Sequence, residues 1–208
     1  MQQRVSDEAV RLFTISKWGW IKRQQTKFDT QERQTTREFV TGESHYYLGN
    51  RYPLDVEYHA GPPSVVIRNK KTMDLIVRLG SIIAQREHVL LEWYRHQLKG
   101  ILPAIITKWE TTIDVQVAEW GVKKMKTKWG TCNIAAQRIW LNLELIKKPQ
   151  HCIEYVTAHE LVHLLERHHN DRFNGFMTHF MPQWRHYRDD LNRAPLGHES
   201  WESQLSED

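Results

Sequence analysis

Residues 157–171 read TAHELVHLLERHHND, four histidines and three acids interleaved with an aliphatic stripe. Such a stretch is either a metal site with catalytic equipment or the polar edge of an amphipathic helix. Its core, HELVH at 159–163, is an HExxH pentad. On an α-helix, residues four apart project about 40° from each other on adjacent turns, so His159 and His163 can reach one cation. Glu160 stands one step away and can address a water beside that cation. Neutral imidazoles supply two of the usual three protein ligands of hydrolytic zinc, and the carboxylate can take a proton from the water.

In a chain with 12 histidines the bare pentad is only suggestive, and its surroundings carry more weight. The spacing predicts a helix over 150–167, with Ile153, Val156, Leu161, Val162, Leu164 and Leu165 as its apolar positions. Histidines beside such a stripe need partners, and a metal provides them. A third ligand would come from His168, His169, His179 or His186. On a straight helix His169 would point roughly 80° away from His159 and lie about 15 Å along the axis. It can ligate only if the chain turns, and Asn170-Asp171 is a turn signal. His169 ranks first, because HExxHxxxxxH is the third-ligand spacing of some compact zinc peptidases. The glycine that metzincins carry between is replaced by Glu166, read as an exposed or supporting acid.

Working outward, 208 residues with 40% apolar and 26% charged side chains describe a folded protein with one substantial core. No apolar run reaches the roughly 18 to 20 residues of a membrane span, and the N-terminus lacks a signal-peptide core. A soluble, cytoplasmic protein is expected, with Cys132 and Cys152 as free thiols. The net charge of +4 is mild and spread out, with a small cluster at Lys123–Lys128. Nucleic-acid binding is therefore weakly supported, since most such runs are solvated faces.

The pattern predicts a helix over Val5–Lys27 and an antiparallel meander built from Tyr46–Leu48, Leu54–Tyr58, Ser64–Arg68 and Met73–Arg78. A long helix over Ser81–Leu98 follows, resuming after Pro103 to about Glu110. Strands are expected at Ile113–Val117, Lys123–Lys126, Lys128–Ile134 and Arg138–Leu141, the last two forming a hairpin around residues 135–137. After the metal helix, Arg172–Met181 and Gln183–Arg193 read as helices divided by Pro182. The organisation is one domain over 1–198, with an N-terminal part to 110, a metal-binding part from 111, and an acidic tail at 199–208.

Several ordered blocks carry a family resemblance: KTKWGTC at 126–132, IWLN at 139–142, LIKKP at 145–149, IEYVTAHELVHL at 153–164 and HHNDRFN at 168–174. They resemble the YgjP-like metallopeptidase domain family, whose pattern runs KTRWGSC, IxLN, LIxxP, IDYVxxHELCHL and NHSxxFW. Thr131 stands for Ser, Val162 for Cys, and His168 and Asn170 flank the third histidine in place of Asn and Ser. The match is densest from about 120 to 190 and reaches weakly back through Trp20-Ile21 and the stretch 47–52. The resemblance implies an α+β, zincin-like fold, with an antiparallel sheet on the HExxH helix and further helices at both ends. It implies one zinc ion per chain (Zn2+) on His159, His163 and His169, with Glu160 as catalytic base.

The expected function is zinc-dependent hydrolysis of the metallopeptidase type, an activated water attacking a peptide-like carbonyl. The substrate, polypeptide or small molecule, stays open. One alternative, also linked to the family, is metal-dependent hydrolysis of nucleoside triphosphate pyrophosphates, with Lys126 and Lys128 steering phosphates. Another is a non-catalytic module stapled by zinc that binds nucleic acid or protein. Glu160 between the ligands speaks against a purely structural site, which normally closes with a fourth protein ligand. The stretch around Gly130 reads either as a cleft border or as a packed turn where glycine permits close backbone approach. Lys128 and Arg172 are candidate anion contacts, with simple exposed charge the plainer explanation.

Overall fold

The computed structural model describes residues 37–193 and, before them, positions 8, 11, 12, 15–19 and 22. Those early positions are helical, as the periodicity of the N-terminal segment predicts. The rest of that segment, Trp20-Ile21 and the 199–208 tail lie outside the described residues.

Four strands form the first sheet: β1 (Ser44–Tyr47), β2 (Asn50–Tyr58), β3 (Ser64–Arg68) and β4 (Thr72–Val77), in the order β1-β2-β4-β3. The strand positions follow the predicted segments, but the sheet is not a meander. β1 with β2 and β3 with β4 are antiparallel hairpins, while β2 and β4 run parallel. The Gly61-Pro62-Pro63 loop carries the chain past β4's place to the outer edge, so β4 returns between its neighbours. Met73, Leu75 and Val77 are thereby buried in the middle of the sheet.

The helix after it, α1 (Ile83–Ile113), runs unbroken for 31 residues with Pro103 inside. This corrects both the expected interruption near Pro103 and the expected strand over Ile113–Val117. An internal proline costs about 3 kcal/mol. Against that, Leu90, Tyr94, Leu98, Leu102, Ile105, Ile106, Trp109 and Ile113 make one buried stripe on both sides of it. At roughly 1.5–3 kcal/mol for each large apolar side chain, the stripe outweighs the lost hydrogen bond. Asp114, in the left-handed conformation at φ 59°, ends the helix.

The second sheet holds β5 (Glu119–Lys123), β6 (Gly130–Asn133) and β7 (Arg138–Asn142) in the order β5-β7-β6. β6 and β7 form the predicted hairpin, and β5 lies parallel to β7. The strand expected at Lys123–Lys126 sits earlier, where Val122 is buried, and the lysine-rich run is a loop. A 3-10 turn (Leu143–Lys147) leads from β7 into α2 (Gln150–Val162), then α3 (Asp171–Phe180) and α4 (Trp184–Arg193).

Helix α2 is the centre of the molecule. It packs against α1, β6, β7, α3 and α4, and Cys152, Ile153, Tyr155, Val156, Ala158, Leu161 and Val162 are buried. The β1–β2 turn fixes its start: Leu48 and Gly49 N–H donate to the carbonyls of Ile146 and Lys147. Gly49, at φ 80°, lies so close to Pro149 that an added Cβ would fall 2.8 Å from its Cγ. Both features call for glycine at this position. The two cysteines are free thiols.

Candidate metal centre

Burial on all sides makes polar groups on α2 conspicuous, and most lie on the turn that carries the pentad. The helix ends at Val162 rather than Arg167, because the chain turns over 163–165. Leu164 and Leu165, which extend the helical periodicity, pack against the core from this turn instead. The early turn brings His169 back over the helix. His159, His163 and His169 then present ligand atoms that all lie within 4.8 Å of one another. His168 is exposed and outside the cluster, His179 lies against Phe180, and His186 pairs with Asp190 at 3.4 Å.

The imidazoles are held in place from outside. His163 Nδ1–H donates to the Glu166 carbonyl oxygen at 3.1 Å, so its Nε2 keeps a lone pair for the cluster. Nε2 of His159 and of His169 stand 2.9 Å apart, and Nδ1 of His159 is buried without a hydrogen-bond partner among the described residues. Phe173, on the first turn of α3, places its ring 4.9, 4.7 and 4.8 Å from the rings of His159, His163 and His169. Asn170 caps that helix by accepting from Phe173 N–H at 3.0 Å. The turn signal read at Asn170-Asp171 is thus a helix start that sets Phe173 under all three imidazoles.

Burial dominates the electrostatics. It holds His159 well below its ordinary value and His163 down to about 4, and it lowers His169; the neighbouring histidines act in the same direction on each. All three are neutral at pH 7. Burial pushes Glu160 up to about 8, partly offset by the positive charge of Lys128. The same cause raises Cys132, on β6, to about 11, which leaves it an inert thiol.

This donor set fits a divalent zinc-like ion. It offers three imidazole nitrogens, and the 2.9 Å separation of the His159 and His169 Nε2 atoms is near the roughly 3.3 Å edge of a tetrahedral zinc site. Glu160 packs against β6. A Cβ at Gly130 would fall 2.5 Å from Glu160 Oε1 and 2.7 Å from its Cγ. The carboxylate rests on the bare backbone of that strand, so the close-approach reading of Gly130 holds.

The sequence profile of the YgjP-like metallopeptidase domain family matches residues 1–194. The chain belongs to that family. Its α+β architecture is zincin-like, with one difference from the expected sheet: β5 pairs parallel to β7 on the otherwise antiparallel sheet beside α2. A search of curated proteins gives no match. Among solved structures, the metallopeptidase zymogen of Pyrococcus abyssi abylysin is similar at 14% identity and a TM-score of 0.41, over 44% of this chain and 91% of that one. Membership in the YgjP-like family makes the chain a metal-dependent hydrolase of peptidase type, and no helix among the described residues is long and apolar enough to cross a membrane.

Phe173 and Asn142 are contributors that pattern reading did not assign to the site, whereas for Gly130 it offered a cleft border as one of two readings. Asn142 is fully buried. Its Nδ2 donates to the carbonyls of Met125 and Lys128 at 3.0 and 2.7 Å, and its Oδ1 accepts from Met125 and Glu144 N–H. Its own N–H donates to the Trp129 carbonyl. One side chain thus fixes the loop that leads into Gly130. The FN pair at 173–174 and the N of IWLN were visible as residues, but no spacing rule connects them to the pentad.

Proposed function

We propose that the chain is a zinc-dependent peptidase in which His159, His163 and His169 hold the ion and Glu160 is the general base, working as one domain over 1–198 in the cytoplasm. The observation that carries this reading is the convergence of three neutral imidazoles beside a buried carboxylate seated on Gly130.

A zinc ion held by these imidazoles would supply Lewis-acid polarisation of a carbonyl and of a water. The chain's own residues do the rest. His163 keeps its tautomer through the Glu166 carbonyl, and Phe173 keeps the three rings from rotating. Glu160 accepts the proton of the attacking water as the carbon–oxygen bond forms, then delivers it to the leaving amine as the carbon–nitrogen bond breaks. Its enclosure excludes bulk water and strengthens its interaction with nearby charge. Gly130 lets the carboxylate lie against β6 and limits its rotamers.

The decisive experiment pairs zinc content with turnover of a randomised peptide pool for the wild type and Glu160→Gln. The variant should keep its zinc and lose turnover by at least about 100-fold, the lower end of a general base's contribution. Turnover retained by the zinc-loaded variant would rule out Glu160 as the base. A parallel panel of nucleoside triphosphates tests pyrophosphate hydrolysis.

A further inference from the structure

We propose that Lys128 is a specificity-determining residue that binds a carboxylate of the peptide substrate next to the bond being cleaved. The inference rests on the peptidase reading above and names its substrate class: peptides with an acidic side chain beside the scissile bond.

Position comes first. Lys128 lies two residues before Gly130, whose backbone touches the Glu160 carboxylate, so the loop leads directly to that carboxylate. The loop is rigid where it matters. Its Met125 and Lys128 backbone groups are bonded to the side chain of buried Asn142, and its Trp129 carbonyl to the Asn142 N–H. The Lys148 ammonium lies over the Trp129 ring at 5.4 Å and secures the next residue. A solvated charge run has no need of such a frame.

Lys128 is exposed, and among the described residues its ammonium makes no hydrogen bond or ion pair. Lys123, by contrast, lies over the Trp140 ring. Its charge acts on the buried Glu160 carboxylate, so the exposed cation stands within electrostatic reach of the centre. A substrate lying over Glu160 would bring its flanking residues under this cation. Covering the pair would also exclude water and lessen screening by salt. An acidic group gains there and a basic one is repelled.

The test measures binding and cleavage of two randomised octapeptide pools that differ only in one central position, fixed as Glu or as Gln. Binding is read by fluorescence anisotropy on full-length, zinc-supplemented Glu160→Gln protein, alone and with Lys128→Met or Lys128→Glu. The Lys128-containing protein should prefer the Glu pool about fivefold, the upper range for an exposed ion pair. Lys128→Met should abolish the preference and Lys128→Glu should invert it. The unfolding midpoint should not change, because the frame holds Lys128 by its backbone. Cleavage by the zinc-loaded wild type should show the same ratio in kcat/KM. If the wild type cleaves neither pool, the peptidase reading fails while the binding ratio still decides the role of Lys128. Equal binding of both pools, or a Glu preference that survives Lys128→Glu, overturns the proposal. Lys128-dependent binding of a nucleoside triphosphate without a Glu preference also overturns it.

Discussion

Replacing Glu160 with Gln should change how the metal-free protein's stability responds to pH, in a direction fixed by the burial of that carboxyl. Its folded value is raised from 4.5 to about 8 by desolvation. The fold therefore holds the proton more tightly than the unfolded chain does. This contribution is fully present below pH 4.5 and is lost as pH rises through 8. At about 1.4 kcal/mol per unit, the loss over that window approaches roughly 5 kcal/mol. Gln cannot ionise, so the variant escapes it. His159 and His163 act oppositely: with folded values depressed, they add stability as pH rises from about 4 towards 6.5, where the unfolded chain still binds their protons. That effect is common to both proteins and cancels in their difference. Urea unfolding with a chelator, from pH 5 to 9, should give stabilities that nearly coincide at pH 5 and diverge in favour of Glu160→Gln towards pH 8–9. Parallel curves across the range would refute the burial argument.

Four further outcomes follow from the site. His169→Ala should weaken zinc binding by more than roughly 100-fold, the upper range for loss of a merely supporting partner, while His168→Ala should stay within about threefold, measured by chelator competition. Phe173→Ala removes the ring under all three imidazoles and should cost about 3–5 kcal/mol in denaturant unfolding. Gly130→Ala should cost about 1–3 kcal/mol by overpacking against Glu160, and most of that should vanish in a Glu160→Ala background; additive costs would show that the two residues do not share the space. Apparent zinc affinity should rise with pH up to about 8, by at most about tenfold per unit, because binding must expel the Glu160 proton, and Glu160→Gln should flatten that rise.

The cluster of His159, His163 and His169 was legible because its parts are local. His159, Glu160 and His163 fall on one helical turn, and a short turn suffices to return His169. The helix end was misplaced because Leu164 and Leu165 keep the apolar period after the backbone has left the helix; their burial is served equally well from a turn. Pro103 misled in the opposite sense. A local breaker was overridden by a stripe whose partners, α2 and the 3-10 turn, lie tens of residues later in the chain. The parallel pairings of β2 with β4 and of β5 with β7 were illegible for the same reason, since alternation identifies a strand but not its neighbour. Gly130 and Asn142 each act on residues far along the sequence, and a glycine's purpose is known only when the group above it is known.

The arrangement also explains why such a site sits on the most buried helix among the described residues. An exposed HExxH turn would let its imidazoles titrate near pH 6.5 and its carboxyl ionise freely, so the ligands would compete with protons and the base would be screened by water. Enclosure by Phe173, Tyr155 and β6 removes both losses at once: it keeps His159 and His163 neutral well below pH 6 and withholds Glu160's charge until another charge is present. The cost is a fold that carries a desolvated carboxyl in its core and, among the described residues, no hydrogen-bond partner for His159 Nδ1. An ion bound with free concentration a thousandfold above its Kd returns about 4 kcal/mol, the same order as the Glu160 penalty. On the proposed reading, stability and metal occupancy are therefore coupled through Glu160.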